Sequence, residues 1–456
     1  MKLIYDVKDK PKFGQLLVFA IQQLLAIMAA TIAVPAIIGN GMSASAALFG
    51  AGVGTIVYQL FTRFRSPVFL GSSFAFIGSM FAAFAGGVSM SLGYLGMILG
   101  AACAGLVYVI IAIIVKLVGV NWINKIMPAV VIGPTVAIIG LSLAGNAVGD
   151  MLKADVNSAE GVMLGSPYVA FICALVTLFV VVLCSTYGKK MAKLIPFIIG
   201  IIAGYVVAAI FTVIGNVAEI DALKIIDFAP FMALFADGIT AETFFALPDF
   251  VFLEAFKGVK ELDLAYVGTV AVAYVPVAFV VFAEHIADHK NLSTIIEKDL
   301  LDDPGLSRTL LGDGVGSVAG AFFGGCPNTT YGESVGCVAI TRNASVATIT
   351  TTAILAMLIS FVAPFVAFLD TIPACVMGGV CMTLYGFIAV SGLKMVQKVD
   401  LEKNNNLFVV SVILIAGIGG LTLTFGKVTI TSVACALILG IIVNLMLKGA
   451  DKKDAE

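Results

Sequence analysis

Apolar residues run in long blocks along almost the whole chain, and short polar segments separate the blocks. The blocks are roughly 17 to 25 residues long, the length that an α-helix needs to cross a hydrocarbon core of about 30 Å. The pattern predicts fourteen transmembrane helices. Their expected starts lie near Phe13, Ala44, Pro67, Leu92, Ile126, Tyr168, Leu194, Leu264, Thr309, Asn328, Ser345, Pro373, Asn406 and Val428.

The third and tenth predicted spans contain residues that interrupt a helix. Pro67 and 71–73 (Gly-Ser-Ser) fall in the third span, and 324–325 (Gly-Gly) and 327–330 (Pro-Asn-Thr-Thr) fall in the tenth. Proline removes a helical donor, while serine, threonine and asparagine favour caps and turns. We therefore expect a short extended stretch that leads into a half-helix in each span. Such backbone is tolerated at membrane depth where it lines a cavity, so the breaks predict a binding site, with packing kinks as the alternative.

The two halves of the chain resemble each other in sequence. Residues 128–133 (PAVVIG), at the start of the fifth span, match 373–378 (PACVMG) at the start of the twelfth. In the same way, 71–74 (GSSF) in the third span matches 328–331 (NTTY) in the tenth. Both matches fall seven spans apart, and because seven is odd the halves cross the membrane in opposite directions. This arrangement is an inverted repeat, which is typical of secondary transporters.

The predicted fold is thus an all-α polytopic membrane protein with a 7+7 inverted repeat and short extended stretches in spans 3 and 10. The first repeat is expected over 1–215, an acidic extracellular connection over 216–263, and the second repeat over 264–456. Five basic residues lie on the side of this connection, and the other 21 of the 26 lie on the side of the termini. By the positive-inside rule, both termini are expected to be cytoplasmic. The five are Lys153, Lys224, Lys257, Lys260 and Lys427.

The composition excludes several classes of protein. Hydrophobic residues make up 60% of the chain and charged residues 12%, with a mean hydropathy of +1.09. These values are far from those of a soluble domain. The net charge of -2 gives no strong positive electrostatic field that would attract nucleic acid. The eight cysteines have no CxxC spacing and lie in apolar segments, which favours packing over disulfides or zinc sites. The start of the chain, 1–12, does not read as a cleaved signal peptide.

Few ionisable residues fall within the predicted spans, and four of them are candidates for the site. Glu284, His285 and Asp288 belong to the eighth span, and Glu333 follows the break in the tenth. Insertion of a charged residue near the centre of a transmembrane helix costs at least about 2.5 to 3.5 kcal/mol. Such residues therefore usually have a functional role. Glu284 and Asp288 are four residues apart and share one helical face.

Each of these residues also has a simpler interpretation. Hydropathy alone places Glu284 and Asp288 near a solvated helix end, whereas the apolar residues Leu292, Ile295 and Ile296 extend the helix and place Glu284 deeper. Glu333 could cap the half-helix, because acidic groups favour helix N-termini. His285 is expected to make packing or polar contacts, and His289 is expected at the surface.

Two carboxylates and freed backbone groups suit a pyrimidine base. Its ring N–H groups donate to carboxylates, and backbone N–H groups at the start of a half-helix donate to its carbonyl oxygens. An aromatic side chain such as Phe74 or Tyr331 could contact the ring face. Since burial of a carboxyl group favours its protonated form, one residue could serve both binding and proton coupling. No Ser/His/Asp set or phosphate-binding glycine loop is present in these segments, so an enzyme is not expected.

The sequence resembles the nucleobase/ascorbate transporter family, in its bacterial uracil permease branch, over essentially the whole chain. The segments that carry the resemblance are 22–31 (QQLLAIMAAT), 70–76 (LGSSFAF), 283–285 (AEH), 298–305 (KDLLDDPG), 327–333 (PNTTYGE), 339–342 (AITR) and 376–379 (VMGG). The 329–333 segment (TTYGE) is the most specific of them.

The resemblance implies a core domain from spans 1–4 and 8–11 and a gate domain from spans 5–7 and 12–14, with proton symport by movement of one against the other. It implies that Glu284 binds the pyrimidine edge and responds to the proton, while Glu333 holds the other ring nitrogen. Backbone N–H groups of Phe74 and Gly332 would meet the carbonyls. Ala30, Tyr331 and Tyr385 would line the pocket.

Three positions depart from the family pattern. Asp288 stands where uracil permeases can carry a histidine, so its part in the proton relay is open. Ser334 stands where asparagine commonly follows the glutamate, and Gln23 stands where a histidine is common. These departures could shift the range of substrates.

The expected function is therefore uptake of a nucleobase, uracil, driven by a proton gradient and without a cofactor. A xanthine, urate or other purine permease is the alternative within the family. An anion exchanger or channel of related architecture is the alternative outside it, and would require a cation where Glu333 stands. The expected location is the cell membrane, the inner membrane if the source is bacterial, and small residues on the gate helices could pack a homodimer.

Overall fold

The computed structural model describes residues 3–119, 128–157, 162–189, 191–425 and 428–447. Three sequence predictions involve other residues: the start of the fifth span near Ile126, the external Lys427, and the outer ends (1–2 and 448–456) of the two repeats. Each of these lies outside the described residues. Within the described ranges the chain is mostly helical, and eight helical stretches are long and apolar enough to cross a membrane.

The helices and strands are numbered in chain order. They are α1 (Phe13–Ile38), α2 (Ala44–Phe61), β1 (Leu70–Ser72), α3 (Ile77–Ala83), α4 (Met90–Val118), α5 (Ala129–Ser142), α6 (Ala144–Met151), α7 (Pro167–Tyr187), α8 (Met191–Leu194), α9 (Pro196–Val217), α10 (Ala229–Ala233), α11 (Val251–Ala255), α12 (Leu264–Ile296), α13 (Leu306–Gly324), β2 (Asn328–Thr330), α14 (Gly332–Thr341), α15 (Val346–Ile359), α16 (Ala363–Asp370), α17 (Ala374–Val396), α18 (Asn404–Ile418), β3 (Leu423–Phe425), β4 (Val428–Ile430) and α19 (Ser432–Leu447).

A short strand stands at each of the two predicted helix breaks. The strands β1 and β2 pair antiparallel, with Leu70 opposite Thr330 and Ser72 opposite Asn328. A 3₁₀ turn, Phe74–Phe76, leads from β1 into α3, and α14 begins two residues after β2. Backbone groups that the broken helices leave free are therefore paired across the two breaks, which meets the requirement for irregular backbone at membrane depth.

The helices pack in two groups. In the first group, α2 packs against α13 and α15, α4 packs against α12 and α13, and α1 packs against α2 and α15. Gly54 and Gly316 bring α2 and α13 so close that a Cβ atom on either glycine would meet the other's carbonyl oxygen. Close approach through small residues is a common way to pack helices in a membrane, where no hydrophobic force draws them together.

In the second group, α17 packs against α5, α6 and α7, while α5 also packs against α18 and α19. The two groups meet where α12 contacts α5, α19 and β4, and where α1 contacts α9 and α17. On the side opposite the predicted cytoplasmic face, α11 packs on α4 and α13 of the first group. The backbone N–H of Asp155, beside the second group, donates to the carbonyl of Ile225.

Most predicted span starts agree with the start of a helix or strand within a few residues, but the fourteenth span differs. The fourteenth span, expected from Val428, opens with the hairpin β3–β4, in which Leu423 pairs with Ile430, and α19 begins only at Ser432. The eighth span continues to Ile296, so the helix extends two turns beyond Asp288. Leu292 and Ile296 are buried there, which confirms the longer of the two interpretations of this span.

Candidate functional site

A cavity of about 460 Å³ lies between the two helix groups, beside the crossing of β1 and β2. Its two walls differ in chemistry. The wall from the first group carries three carboxylates and the backbone that follows both strands. The wall from the second group is mainly apolar, and includes Val136, Ile139, Phe197, Leu384, Phe387 and Ile388. A polar ligand in this cavity would therefore make most of its directional contacts with the first group.

The carboxylates of Glu284, Asp288 and Glu333 all line this cavity. Glu284 and Asp288 lie one turn apart on α12, as their spacing predicts, and Glu333 lies in the first turn of α14. All three side chains are half-buried, because the cavity leaves part of each one open. The hydroxyl of Thr330 donates a 2.8 Å hydrogen bond to Asp288 and so fixes this carboxylate relative to β2.

The side chain of Tyr331, the residue before α14, ties the start of this helix to the backbone of β1 and to α1. The Tyr331 hydroxyl donates to the backbone carbonyl of Ser72, 2.9 Å away, and Thr31 of α1 donates to the same hydroxyl at 3.4 Å. Tyr331, Gly332 and Glu333 line the cavity together. The first backbone N–H groups of α14 form the positive end of the helix dipole. This end of the helix favours a hydrogen-bond acceptor such as a carbonyl oxygen.

The remaining predicted site residues divide between the cavity wall and the layer behind it. Phe74, in the 3₁₀ turn after β1, lines the cavity. Tyr385 of α17 is buried and packs edge-on against the Phe74 ring, with ring centroids 6.0 Å apart. Ala30 of α1 is also buried. Neither Tyr385 nor Ala30 is among the residues that line the cavity, where their neighbours Leu384 and Ala26 lie instead.

Sequence reasoning missed a fully buried polar cluster behind the acidic face of α12. His285 lies 2.6 Å from Asp313 and 3.0 Å from Thr309, both of α13. His289 lies 2.8 Å from the hydroxyl of Tyr58 on α2, and the two histidine rings stack at 4.0 Å. His289 is therefore buried and not at the surface as predicted. The signal that could have placed it is the apolar residue Leu292, three positions further along the helix.

Gln23 and Ser334, two of the residues that depart from the family pattern, form a hydrogen bond with each other. The side-chain amide of Gln23 on α1 donates to the Ser334 hydroxyl on α14 over 2.6 Å. Gln23 is 3% exposed and Ser334 is fully buried. Because 311 residues separate them, no local sequence pattern indicates this pairing.

The second helix group adds a few polar residues that were not predicted. Ser185 of α7, Lys193 of α8 and Ser391 of α17 line the cavity. Lys193 is the one basic side chain among the described lining residues. It lies on α8, and the next residue of that helix, Leu194, packs in one buried cluster with Cys337 of α14.

Sequence comparison places the chain among membrane permeases. Residues 14–426 match the family described as the Permease family. The chain is 37% identical over 452 residues to the uracil permease of Bacillus caldolyticus, an alignment that covers 98% of this chain and 95% of that protein. It is also 37% identical over 459 residues to the uracil permease of Bacillus subtilis (strain 168), covering 100% of this chain and 98% of the relative.

Comparison of folds gives a consistent result at much lower sequence identity. The structure is similar to the transmembrane domain of the cyanobacterial bicarbonate transporter BicA, with a TM-score of 0.62 and 16% identity. The match covers 96% of this chain and 100% of that chain. At this identity the likeness concerns the fold alone.

Proposed function

Since the chain belongs to the Permease family, as the sequence resemblance led us to expect, we propose that it is a proton-coupled symporter that imports a nucleobase, with uracil as the substrate. The multi-pass membrane setting follows from the family and the apolar helices. The observation that carries the proposal is one cavity wall on which three carboxylates flank the starts of two half-helices.

Uracil matches the donors and acceptors of this wall. Its two ring N–H groups donate to carboxylates, and we assign one to Glu284 and the other to Glu333. Its two carbonyl oxygens accept from the backbone N–H groups of Phe74 and Gly332. The Phe74 and Tyr331 rings provide contact for the base, and Tyr385 supports Phe74 from behind. Ala30 acts behind the wall, through the packing of α1.

Proton coupling is assigned to Glu284 together with Asp288. Both lie on the cavity face of α12, so either can exchange a proton with the cavity when it is hydrated. Uptake of a proton removes one negative charge from a site that holds three carboxylates, and this favours binding of a neutral base. No cofactor takes part, and the proton gradient supplies the driving force.

Transport is proposed to proceed by movement of the first helix group, as core domain, against the second, as gate domain. The core consists of spans 1–4 and 8–11, and the gate consists of spans 5–7 and 12–14. Residues 1–215 and 264–456 form the two inverted repeats, and each repeat contributes spans to both domains. The mainly apolar second wall supports this proposal, since a surface with few directional contacts to the base offers little resistance to sliding. We propose that both termini lie in the cytoplasm, which the distribution of basic residues supports, and that gate helices form a homodimer.

Two alternatives are weaker. A xanthine or urate permease would use the same wall for a larger base, and only the width of the cavity distinguishes it from a uracil permease. An anion exchanger would place positive charge at the break before α14, where Glu333 stands. The likeness to a bicarbonate transporter concerns the fold and gives no support for anion transport here.

The decisive experiment measures uptake of radiolabelled uracil by proteoliposomes, with and without an inward proton gradient, in competition with a panel of bases. We expect uptake that depends on the gradient, with uracil the best competitor, and with bicarbonate and chloride without effect. Gradient-independent uptake of uracil would reject the proton mechanism. Preferential inhibition by xanthine or urate would instead identify a purine permease.

A further inference from the structure

One face of α1 holds the start of α14 at two points. Gln23 and Thr31 are eight residues apart, a little over two helical turns, so they lie on neighbouring parts of one face. Gln23 donates to Ser334, and Thr31 donates to the Tyr331 hydroxyl. The two contacts therefore bracket Gly332 and Glu333 in the chain.

The start of α14 lacks a side-chain cap of its own. Tyr331 occupies the capping position and makes no capping hydrogen bond with its side chain. A helix start without a cap is ordinarily free to fray. The contacts from α1 do not satisfy the first backbone N–H groups of α14, but they hold the side chains of Tyr331 and Ser334 on either side of the first turn.

The Gln23–Ser334 bond is short and removed from water. It spans 2.6 Å between two buried side chains, so water does not replace either partner when the other is removed. It lies directly behind the cavity wall. Ala26, one turn after Gln23, and Cys337, one turn after Glu333, both line the cavity and pack together with Leu194.

We propose that Gln23 and Ser334 form a positioning pair that fixes the direction of the Glu333 carboxylate and thereby sets which nucleobase the site accepts. The inference rests on the proposed function. Neither residue lines the cavity, so the pair acts through the backbone of α14 and does not touch the base. A misdirected carboxylate loses its hydrogen bond to one ring nitrogen. The site then discriminates less between uracil and bases of a different shape.

The test measures equilibrium binding of uracil and of xanthine to the purified full-length protein. Gln23→Met keeps the volume of the side chain and removes its donor, and Ser334→Ala removes the acceptor. Each is expected to weaken uracil binding about tenfold and to lower the preference for uracil over xanthine by a similar factor. The double variant should resemble either single one, and Ser334→Thr, which retains a hydroxyl, should stay near wild type.

Thr352→Val provides the matched control. Thr352 of α15 donates to the carbonyl of Ala20 on α1, 3.2 Å away and one turn before Gln23. It is buried and does not line the cavity. Its removal costs α1 a buried inter-helix hydrogen bond but leaves α14 untouched, so binding affinity and base preference should not change.

Each outcome separates the positioning role from a purely structural one. If the Gln23 and Ser334 variants lose thermal stability as the control does while their affinities and preferences match wild type, the positioning role is rejected. If Gln23→Met does not fold, Ser334→Ala and Ser334→Thr decide the same question. Wild-type protein that binds neither base rejects the proposed function itself, which is a different result from wild-type binding that the variants leave unchanged.

Discussion

The hydroxyl of Thr330 donates a 2.8 Å hydrogen bond to the carboxylate of Asp288. This bond joins the strand of one broken span to the helix that carries Glu284, one turn from Asp288. The carboxylates of α12 and the backbone at the start of α14 are therefore held in one arrangement. A change in the position of α12 should therefore also shift the start of α14, and the reverse.

We predict that Thr330→Val and Asp288→Ala have overlapping effects on uracil uptake. Each change removes one side of the same hydrogen bond, so the double variant should lose much less than the product of the two single losses. A double-mutant cycle on initial uptake rates measures this coupling, expected at about 1 to 3 kcal/mol because the acceptor is a carboxylate. Independent effects would mean that the bond has no part in the transport cycle. Thr351→Val is the control, since its hydroxyl bonds only within α15.

We predict that Glu284→Gln abolishes proton-driven accumulation of uracil. Glutamine has nearly the shape of a protonated glutamate but cannot release a proton, so the carrier would be fixed in one protonation state. Exchange of external for internal uracil needs no net proton movement and should persist in the same vesicles. Accumulation against a gradient by Glu284→Gln would remove Glu284 from the coupling mechanism. Loss of both activities would indicate a role in binding alone.

We predict that Glu333→Ala weakens uracil binding by roughly 10- to 100-fold, the range for loss of a hydrogen bond to a charged group. The change leaves α14 intact, because alanine favours helices and Glu333 has no ion-pair partner within the described parts of the chain. Isothermal titration of purified protein measures the affinity. Ser391→Ala, on the opposite wall of the same cavity, should change it little. Equal affinities for Glu333→Ala and wild type would exclude Glu333 from the site.

The sequence predicts the paired breaks and the acidic face of α12 because both depend on local chemistry. Proline and glycine weaken a helix most where they cluster with serine, threonine or asparagine, as they do in both breaks. A spacing of four residues places Glu284 and Asp288 on one face in any helix. Hydropathy also indicates most span starts. These parts of the fold follow from neighbouring residues alone.

The contacts that shape the site depend on residues far apart in the chain. His285 and Asp313 come from different helices, and Gln23 and Ser334 come from opposite halves of the sequence. A single sequence carries no record of which distant polar groups satisfy each other. Hydropathy alone leaves His289 just beyond the cytoplasmic end of the eighth span, whereas the helix turns it away from the cavity and toward Tyr58. Polarity counted along the chain cannot separate these two faces.

We predict a pH-dependent component of stability at Asp155, outside the spans. Its carboxylate accepts from the backbone N–H of Ala374 at the start of α17, 2.7 Å away, and burial raises its pKa from 3.8 to about 6. The folded state then binds the proton more tightly than the unfolded state. The stabilisation is complete below about pH 4 and is lost as the pH rises through about 6, with a total of about 3 kcal/mol.

Asp155→Asn tests this dependence, because asparagine keeps an acceptor for the Ala374 N–H but does not ionise. The difference in free energy of unfolding between variant and wild type should be small at pH 4 and should favour the variant by pH 7. Thermal unfolding in detergent at several pH values provides the measurement. A difference that stays constant across this range would show that Asp155 does not titrate there.

Finally, the buried pair of His285 and Asp313 should contribute to stability only as a pair. The two side chains are fully buried 2.6 Å apart, so removal of one leaves the other without its partner inside the protein. His285→Leu should cost about 1 to 3 kcal/mol of stability, the range for a buried polar group that loses its hydrogen-bond partner. The double variant, His285→Leu with Asp313→Val, removes both polar groups and should be more stable than His285→Leu alone. Thermal unfolding of the three proteins measures the difference. A double variant that loses the sum of the two single losses would mean that each side chain acts through separate contacts, and the polar cluster behind α12 would then not be a single unit.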